Sequence, residues 1–326
     1  MRTRLTELLE VEHPVLLAGM GGVAYHRLVA AVSEAGGLGC LGASTMSPDQ
    51  LVEEMAQVRS LTSKPFGVDL LTAMPGDLLH QVELLIEGGA AVFVAGLGVP
   101  TEAVDLCHRH GVLVVNMCGK VAHARRAVDA GCDMVVAQGT EAGGHTGQVA
   151  TMPLVPQIVD AVGGQVPVVA AGGIVDGRGL AAALSLGAAG IWVGTRFIAT
   201  PEARAQRFYK DTLLGTAEDG TVVSRAFTGK TCRVVRNDFT AYYEEHPEEL
   251  QPFPQQVIAS IQAGANHLGA PEDAEVDPLR EFYPCGQGVG AVGSLVPAGE
   301  LVERFVAEAE DVLARVSGLV DAGTLG

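Results

Sequence analysis

Up to about Thr200 the chain alternates short apolar runs with segments of helical spacing, and it does so eight times. The runs are Val15–Ala18, Leu38–Leu41, Phe66–Leu70, Ala91–Val94, Val112–Asn116, Met134–Ala137, Val166–Ala171 and Ala189–Val193. Continuous apolar runs of this length suit strands buried on both faces. Between them, Pro48–Ser60, Leu78–Glu87, Thr101–Arg109, His123–Ala130 and Gly179–Leu186 carry apolar residues at helical spacing. Several of these helices run into glycine just before the next strand, as in Ala35-Gly36-Gly37, Glu87-Gly88-Gly89, Ala130-Gly131 and Leu186-Gly187. Glycine there fits a left-handed helix cap. Alternating β and α units require a parallel sheet. Eight of them favour closure into a (β/α)8 TIM barrel over an open doubly wound sheet.

The rhythm stops after Thr200. Residues 201–285 are richer in charge and proline, with Tyr242-Tyr243-Glu244-Glu245-His246-Pro247 and an acidic stretch at Pro271–Asp277. This segment reads as a small, mostly helical domain or lid inserted after the eighth strand. The barrel then comprises residues 1–200 and 286–326, its last helix being the amphipathic segment Ala298–Val316. A chain of 326 residues, 48% hydrophobic and 18% charged, has ample material for such a core. Its 42 glycines show no G-X-Y period and imply many tight turns instead.

The net charge of −17 argues against nucleic acid and anionic membranes as partners, since both require clustered Lys and Arg. The charged N-terminus lacks the apolar core of a signal peptide, and no apolar run reaches membrane-spanning length. Cysteines at 40, 107, 118, 132, 232 and 285 form no C-x-x-C pair. They read as buried thiols of a cytoplasmic protein, and no metal site is expected.

Three glycine-rich turns follow apolar runs. Met134-Val135-Val136-Ala137-Gln138 leads into Glu141-Ala142-Gly143-Gly144-His145-Thr146-Gly147. Gly172-Gly173 and Gly194-Thr195 stand at the ends of the seventh and eighth runs. In a barrel all three converge on the C-terminal face, where active sites sit. Backbone N–H groups after the last two strands commonly cradle a phosphate there. Glycine lets the backbone lie flat against a ligand. His145 adds a proton-transfer group with an ordinary pKa near neutrality. No Rossmann or P-loop fingerprint is present, and Gly229-Lys230-Thr231 lacks the upstream glycine and strand of a P-loop. His13, His108, His110 and His123 read as surface residues.

These residues resemble the nitronate monooxygenase family, formerly 2-nitropropane dioxygenases, and its relatives the flavin-dependent enoyl-acyl-carrier-protein reductases. The resemblance runs nearly end to end. It rests on Ala18-Gly19-Met20, Pro65-Phe66-Gly67-Val68-Asp69, and the specific Ala137-Gln138-Gly139-Thr140-Glu141-Ala142-Gly143-Gly144-His145. Ala171-Gly172-Gly173-Ile174, Gly194-Thr195-Arg196-Phe197 and Gly286-Gln287 add to it. It implies an FMN-binding TIM barrel under a small helical domain. Gln138, Gly143 and Gly144 would contact the flavin, Gly172, Gly173, Gly194 and Thr195 would hold its phosphate, and Gly19 and Met20 would flank the ring. His145 matches the family's catalytic histidine. Two positions depart from the pattern. Asp69 stands where the family usually has Asn, and a carboxylate there would lower the flavin's potential, repel an anionic substrate and raise the pKa of His145. Trp192 stands where Gln is frequent, as core packing or as a narrower pocket.

The resemblance implies oxidation of alkyl nitronates by dioxygen, with His145 as base toward neutral nitroalkanes or as a positioning group. An NAD(P)H-dependent reductase of enoyl thioesters or quinones, and a non-catalytic flavin-binding protein, share the same residues. Oligomeric state stays open, a homodimer among the options.

Overall fold

The computed structural model describes residues 1–73 and 76–321. Among them are eleven strands: β1 (Val15–Leu17), β2 (Gly39–Gly42), β3 (Phe66–Leu71), β4 (Val92–Gly96), β5 (Leu113–Cys118), β6 (Met134–Gln138), β7 (Gly144–His145), β8 (Val168–Ala171), β9 (Gly190–Val193), β10 (Thr221–Ser224) and β11 (Cys232–Val235). Eight of them pair in parallel in the order β1-β9-β8-β6-β5-β4-β3-β2. A parallel bridge between Leu16 and Leu38 joins the two ends, so the sheet closes on itself. The eight apolar runs are the eight barrel strands. Helices fill the connections, including Pro48–Leu61, Leu78–Glu87, Thr101–Arg109, Val121–Asp129 and Gly177–Ser185. The expected caps at Gly36, Gly89, Gly131 and Gly187 all have positive φ.

The runs are continuous because each strand is buried on both faces. Leu16, Val92, Val94, Val115, Met134, Val136, Val169 and Trp192 form one cluster inside the ring. Their neighbours Val15, Leu17, Phe93, Ala95, Val135 and Ala137 belong to a second cluster, with the surrounding helices. Side chains on a strand alternate between faces. Continuing the inward parity brings Asp69 on β3, Met117 on β5 and Gln138 on β6 to the C-terminal rim. The opposite end is plugged by the helix Arg4–Leu9, whose Leu5 and Leu9 join the inner cluster. A Cβ on Gly190 would lie 2.4 Å from Leu5 Cδ2, so the strand carries glycine where the plug meets it.

After β9 the chain builds a second small core. The helix Asp238–Glu245 and the strands β10 and β11 surround Phe227, whose ring stacks on Phe239 at 4.8 Å and on Phe282 at 4.7 Å. This segment carries the helices Arg207–Gly215, Asp238–Glu245 and Gln255–Gln262, and beside them the two short strands β10 and β11. The β-branched pairs Val222-Val223 and Val234-Val235 favour extended backbone, and β10 and β11 pair antiparallel. The third strand of their sheet is β7, with Cys232 opposite His145. The glycine-rich turn is therefore not a free loop. The helix Ala298–Asp321 returns to the barrel, where Gly177 N–H donates to Glu308 Oε2 at 2.9 Å. A Cβ on Gly177 would meet Glu308 Cβ at 2.4 Å, which explains the glycine. No helix among the described residues is long and apolar enough to cross a membrane. All six cysteines are free and buried.

Candidate active site

A cavity of about 380 Å³ opens at the C-terminal end of the barrel. Its walls include every expected site residue: Gly19, Met20, Asp69, Gln138, Gly143, Gly144, His145, Gly172, Gly173, Gly194 and Thr195. Asp69, Met117, Gln138, Ala171 and Trp192, inward residues of five strands, form its floor. Trp192 is both core and cavity wall: it packs in the inner cluster and lines the pocket.

The glycines do different work. Gly172 (φ +107°) and Gly173 (φ +74°) adopt backbone conformations that side chains rarely permit. Gly143 lies flat on the chain near Cys285, where a Cβ would sit 2.6 Å from the Cys285 carbonyl carbon. Gly194 has an ordinary φ of −108°, and the nearest atom to an added Cβ would be Met20 Sδ at 3.4 Å. The backbone hydrogen bonds of the described residues leave the N–H groups of Gly173, Gly194 and Thr195 without a backbone acceptor. Thr195 Oγ1 accepts from Gly286 N–H at 2.9 Å, which ties the late Gly286 to the same corner. Three unused donors beside a short helical turn fit one anionic group such as a phosphate.

His145 lines the same cavity. The Gln138 side-chain amide donates to the His145 carbonyl at 2.8 Å and fixes its backbone. The imidazole Nε2 lies 3.0 Å from Thr228 Oγ1, and the ring meets Phe253 edge-on, with centroids 6.1 Å apart. Burial, and secondarily the Lys230 ammonium, push the His145 pKa down to about 4. The near-neutral value expected from composition is thus corrected. Imidazolium is poorly solvated here, so the ring stays neutral across the physiological range.

Asp69 is corrected in the opposite direction. Burial raises its carboxyl pKa to about 8. Near neutrality it is mainly a neutral acid, so it neither raises the pKa of His145 nor repels anions as an ionised group does. Gly19 leaves room for it, since a Cβ there would fall 2.2 Å from Asp69 Cβ. No side-chain hydrogen bond to Asp69 occurs among the described residues, which leaves its O–H as a donor facing the cavity.

Sequence reasoning missed the roof. Thr228, Phe253, Val257, Ile261, Asn266 and Phe282 line the cavity from the segment after β9. No local motif marks them. Gly229-Lys230-Thr231 is not a P-loop, yet it lies at the site, carried there by β11 pairing with β7.

A model of the nitronate monooxygenase family matches residues 2–308. The chain belongs to the nitronate monooxygenase family. It is thus an oxidoreductase, in a family of flavin enzymes that oxidise nitronates. Among curated proteins it is 43% identical, over 75% of its length and 69% of the relative's, to a Mycobacterium tuberculosis protein named "(3aS,4S,5R,7aS)-5-hydroxy-7a-methyl-1-oxo-octahydro-1H-indene-4-carboxyl-CoA dehydrogenase". Among solved structures it is similar to FabK from Thermotoga maritima, with a TM-score of 0.88 and 35% identity over 98% of this chain and 99% of that one. Nitroalkane oxidase from Streptomyces ansochromogenes matches with a TM-score of 0.81 and 30% identity, over 96% and 99% of the two chains.

Proposed function

We propose that the cavity binds FMN and oxidises alkyl nitronates with dioxygen, accepting neutral nitroalkanes where His145 removes the proton first. The observation that carries this reading is a neutral, buried imidazole sharing one cavity with three unused backbone donors. Gly172, Gly173, Gly194 and Thr195 would hold the terminal phosphate. Gly19, Met20, Gln138, Gly143 and Gly144 would lie along the ring system, and the Asp69 O–H would donate to its polar edge. One cradle and no dinucleotide fingerprint suit FMN rather than FAD. When bound, the flavin supplies the electron chemistry, taking electrons from substrate and passing them to dioxygen. The protein's own residues do the rest. His145 takes the α-proton of a neutral nitroalkane or orients the anion. Gln138 holds His145 in place. The segment 201–285 acts as a lid, with Phe253, Val257 and Ile261 covering the substrate side and excluding water.

The purified protein is expected to be yellow, and its heat-released cofactor to run as FMN on chromatography. Anaerobic mixing with an alkyl nitronate, without NADH, should bleach the flavin. Colourless protein that takes up no added FMN defeats the cofactor assignment, and flavin that nitronate leaves oxidised defeats the substrate assignment. A second reading is favoured by the relative named as a carboxyl-CoA dehydrogenase and by the apolar roof. In it the same flavin site exchanges electrons between an acyl thioester and NAD(P)H. Bleaching by NADH supports that reading. A non-catalytic flavin-binding protein would bind FMN and turn over with neither donor.

A further inference from the structure

The loop Thr228–Thr231 brings a cation to the histidine wall. Gly229, at φ +79°, packs on the chain beside Phe253, where a Cβ would lie 2.7 Å from the Gln251 carbonyl oxygen and the Phe253 nitrogen. The loop is thereby pressed against the roof. Thr146 N–H donates to the Thr231 carbonyl at 3.2 Å and Thr231 Oγ1 donates to the Thr146 carbonyl at 3.0 Å, which fastens the loop beside His145. Lys230 Nζ then stands 4.3 Å from the centroid of the Phe253 ring, which packs in a T-shaped pair with His145. Lys230 makes no ion pair with a carboxylate among the described residues.

The ionisable groups of the cavity wall are Asp69, His145, Tyr209 and Cys232, with Lys230 outside it. Burial holds all four in their neutral forms near pH 7, since it raises Asp69, Tyr209 and Cys232 and lowers His145. The wall itself carries no formal charge, and Lys230 behind Phe253 supplies the positive field at the His145 end. A field in poorly hydrated surroundings is far less screened than at the surface. A cation held over an aromatic face also keeps its position better than one on a free side chain.

We infer that Lys230 is a specificity-determining residue that favours substrates whose reacting end is an anion, the alkyl nitronate over its neutral parent nitroalkane. The inference rests on the nitronate reading and names the charge state that the site prefers. Lys230 acts through space and touches neither the cradle nor the imidazole. The same field adds to burial in disfavouring the imidazolium, so the residue that attracts the anion also helps to keep His145 uncharged beside it.

The test compares Lys230→Met and Lys230→Arg with the parent enzyme, using ethyl nitronate and nitroethane. Lys230→Met is expected to raise KM for the nitronate about tenfold, as loss of one nearby charge at intermediate dielectric implies. KM for nitroethane should move less than about twofold on the same electrostatic grounds. Lys230→Arg should restore most of the nitronate affinity. Nuclear magnetic resonance of ¹⁵N-labelled histidine gives a readout independent of turnover. In Lys230→Met the His145 titration should move up, and nitrate added as a probe anion should perturb His145 more weakly than in the parent. Unchanged nitronate KM with an unmoved His145 titration overturns the inference and leaves the nitronate reading intact. If the parent protein oxidises no nitronate, that reading fails by itself. The nitrate titration still decides Lys230, and equal nitrate affinity in parent and Lys230→Met overturns its role.

Discussion

The two sides of the cavity are built by different means. The barrel side presents strand ends and bare backbone. Gly172, Gly173, Gly194 and Thr195 are placed by parallel pairing and by the inward parity of β8 and β9. The roof side presents Thr228 and Phe253, with Lys230 behind Phe253, carried on loops that meet only through tertiary packing. The barrel side offers hydrogen bonds to an anion and is suited to hold a cofactor. The roof side sets the protonation and charge around one imidazole. On the proposed function, binding and proton chemistry fall to separate regions, so each is expected to change without the other.

The sharpest way to break that separation is His145→Asn. The variant should retain FMN and lose about two to four powers of ten in nitroalkane turnover, the usual worth of a positioned acid–base group. Turnover of pre-formed nitronate should suffer less, because its proton is already gone. Equal loss on both substrates assigns His145 to positioning rather than proton removal. On the barrel side, Gly194→Val should weaken FMN binding by about tenfold or more, roughly 1.4 kcal/mol. Its fold should survive, since Gly194 has an ordinary φ, lies at a strand end, and an added Cβ would meet nothing closer than Met20 Sδ at 3.4 Å. An unchanged FMN dissociation constant would move the phosphate site elsewhere.

Two pH experiments sharpen the comparison. With His145 at about 4, activity on neutral nitroalkane should decline only as pH falls toward that value, and not through 6.5. A kinetic acid limb near neutrality would contradict the buried, neutral imidazole. Asp69 works in the opposite sense. Its folded pKa of about 8 exceeds the unfolded value, so the native state holds more protons through this window. Its contribution to stability is fully present below the unfolded pKa and is lost as pH rises through about 8. FMN affinity should fall over the same alkaline limb, and Asp69→Asn should flatten both curves. The smallest effect belongs to Thr228→Val, which removes one hydrogen bond to His145 worth about 1 kcal/mol. It should slow nitroalkane turnover severalfold and leave FMN affinity alone.

The barrel was legible because its signal is local. Strand runs such as Phe66–Leu70 and Met134–Ala137 lie within a residue of β3 and β6, and the cap glycines mark helix ends directly. The glycine turns at Gly143, Gly173 and Gly194, with His145, were legible for the same reason, since strand ends in a barrel converge, whereas Gly19, Met20, Asp69 and Gln138 were singled out only by the family resemblance. The helix Arg4–Leu9 escaped notice because six residues with mixed charge are too short to show a period, although Leu5 and Leu9 share one face. β7 reads as a turn because two residues carry no strand pattern without their partner β11. The pKa of His145 depends on burial and on Lys230, 85 positions later in the chain, and no local pattern encodes that.

The pairing of β7 with β11 ties His145 to a distant part of the gene. His145 owes its main-chain register to Cys232, so a one-residue slip in β11 would put a different side chain opposite it and turn alternate residues to the other face. Insertions in the hairpin between β10 and β11 can therefore change the surroundings of the His145 imidazole while every barrel residue stays the same. Exchanging this segment between homologous chains would transplant the setting of the imidazole along with the cover.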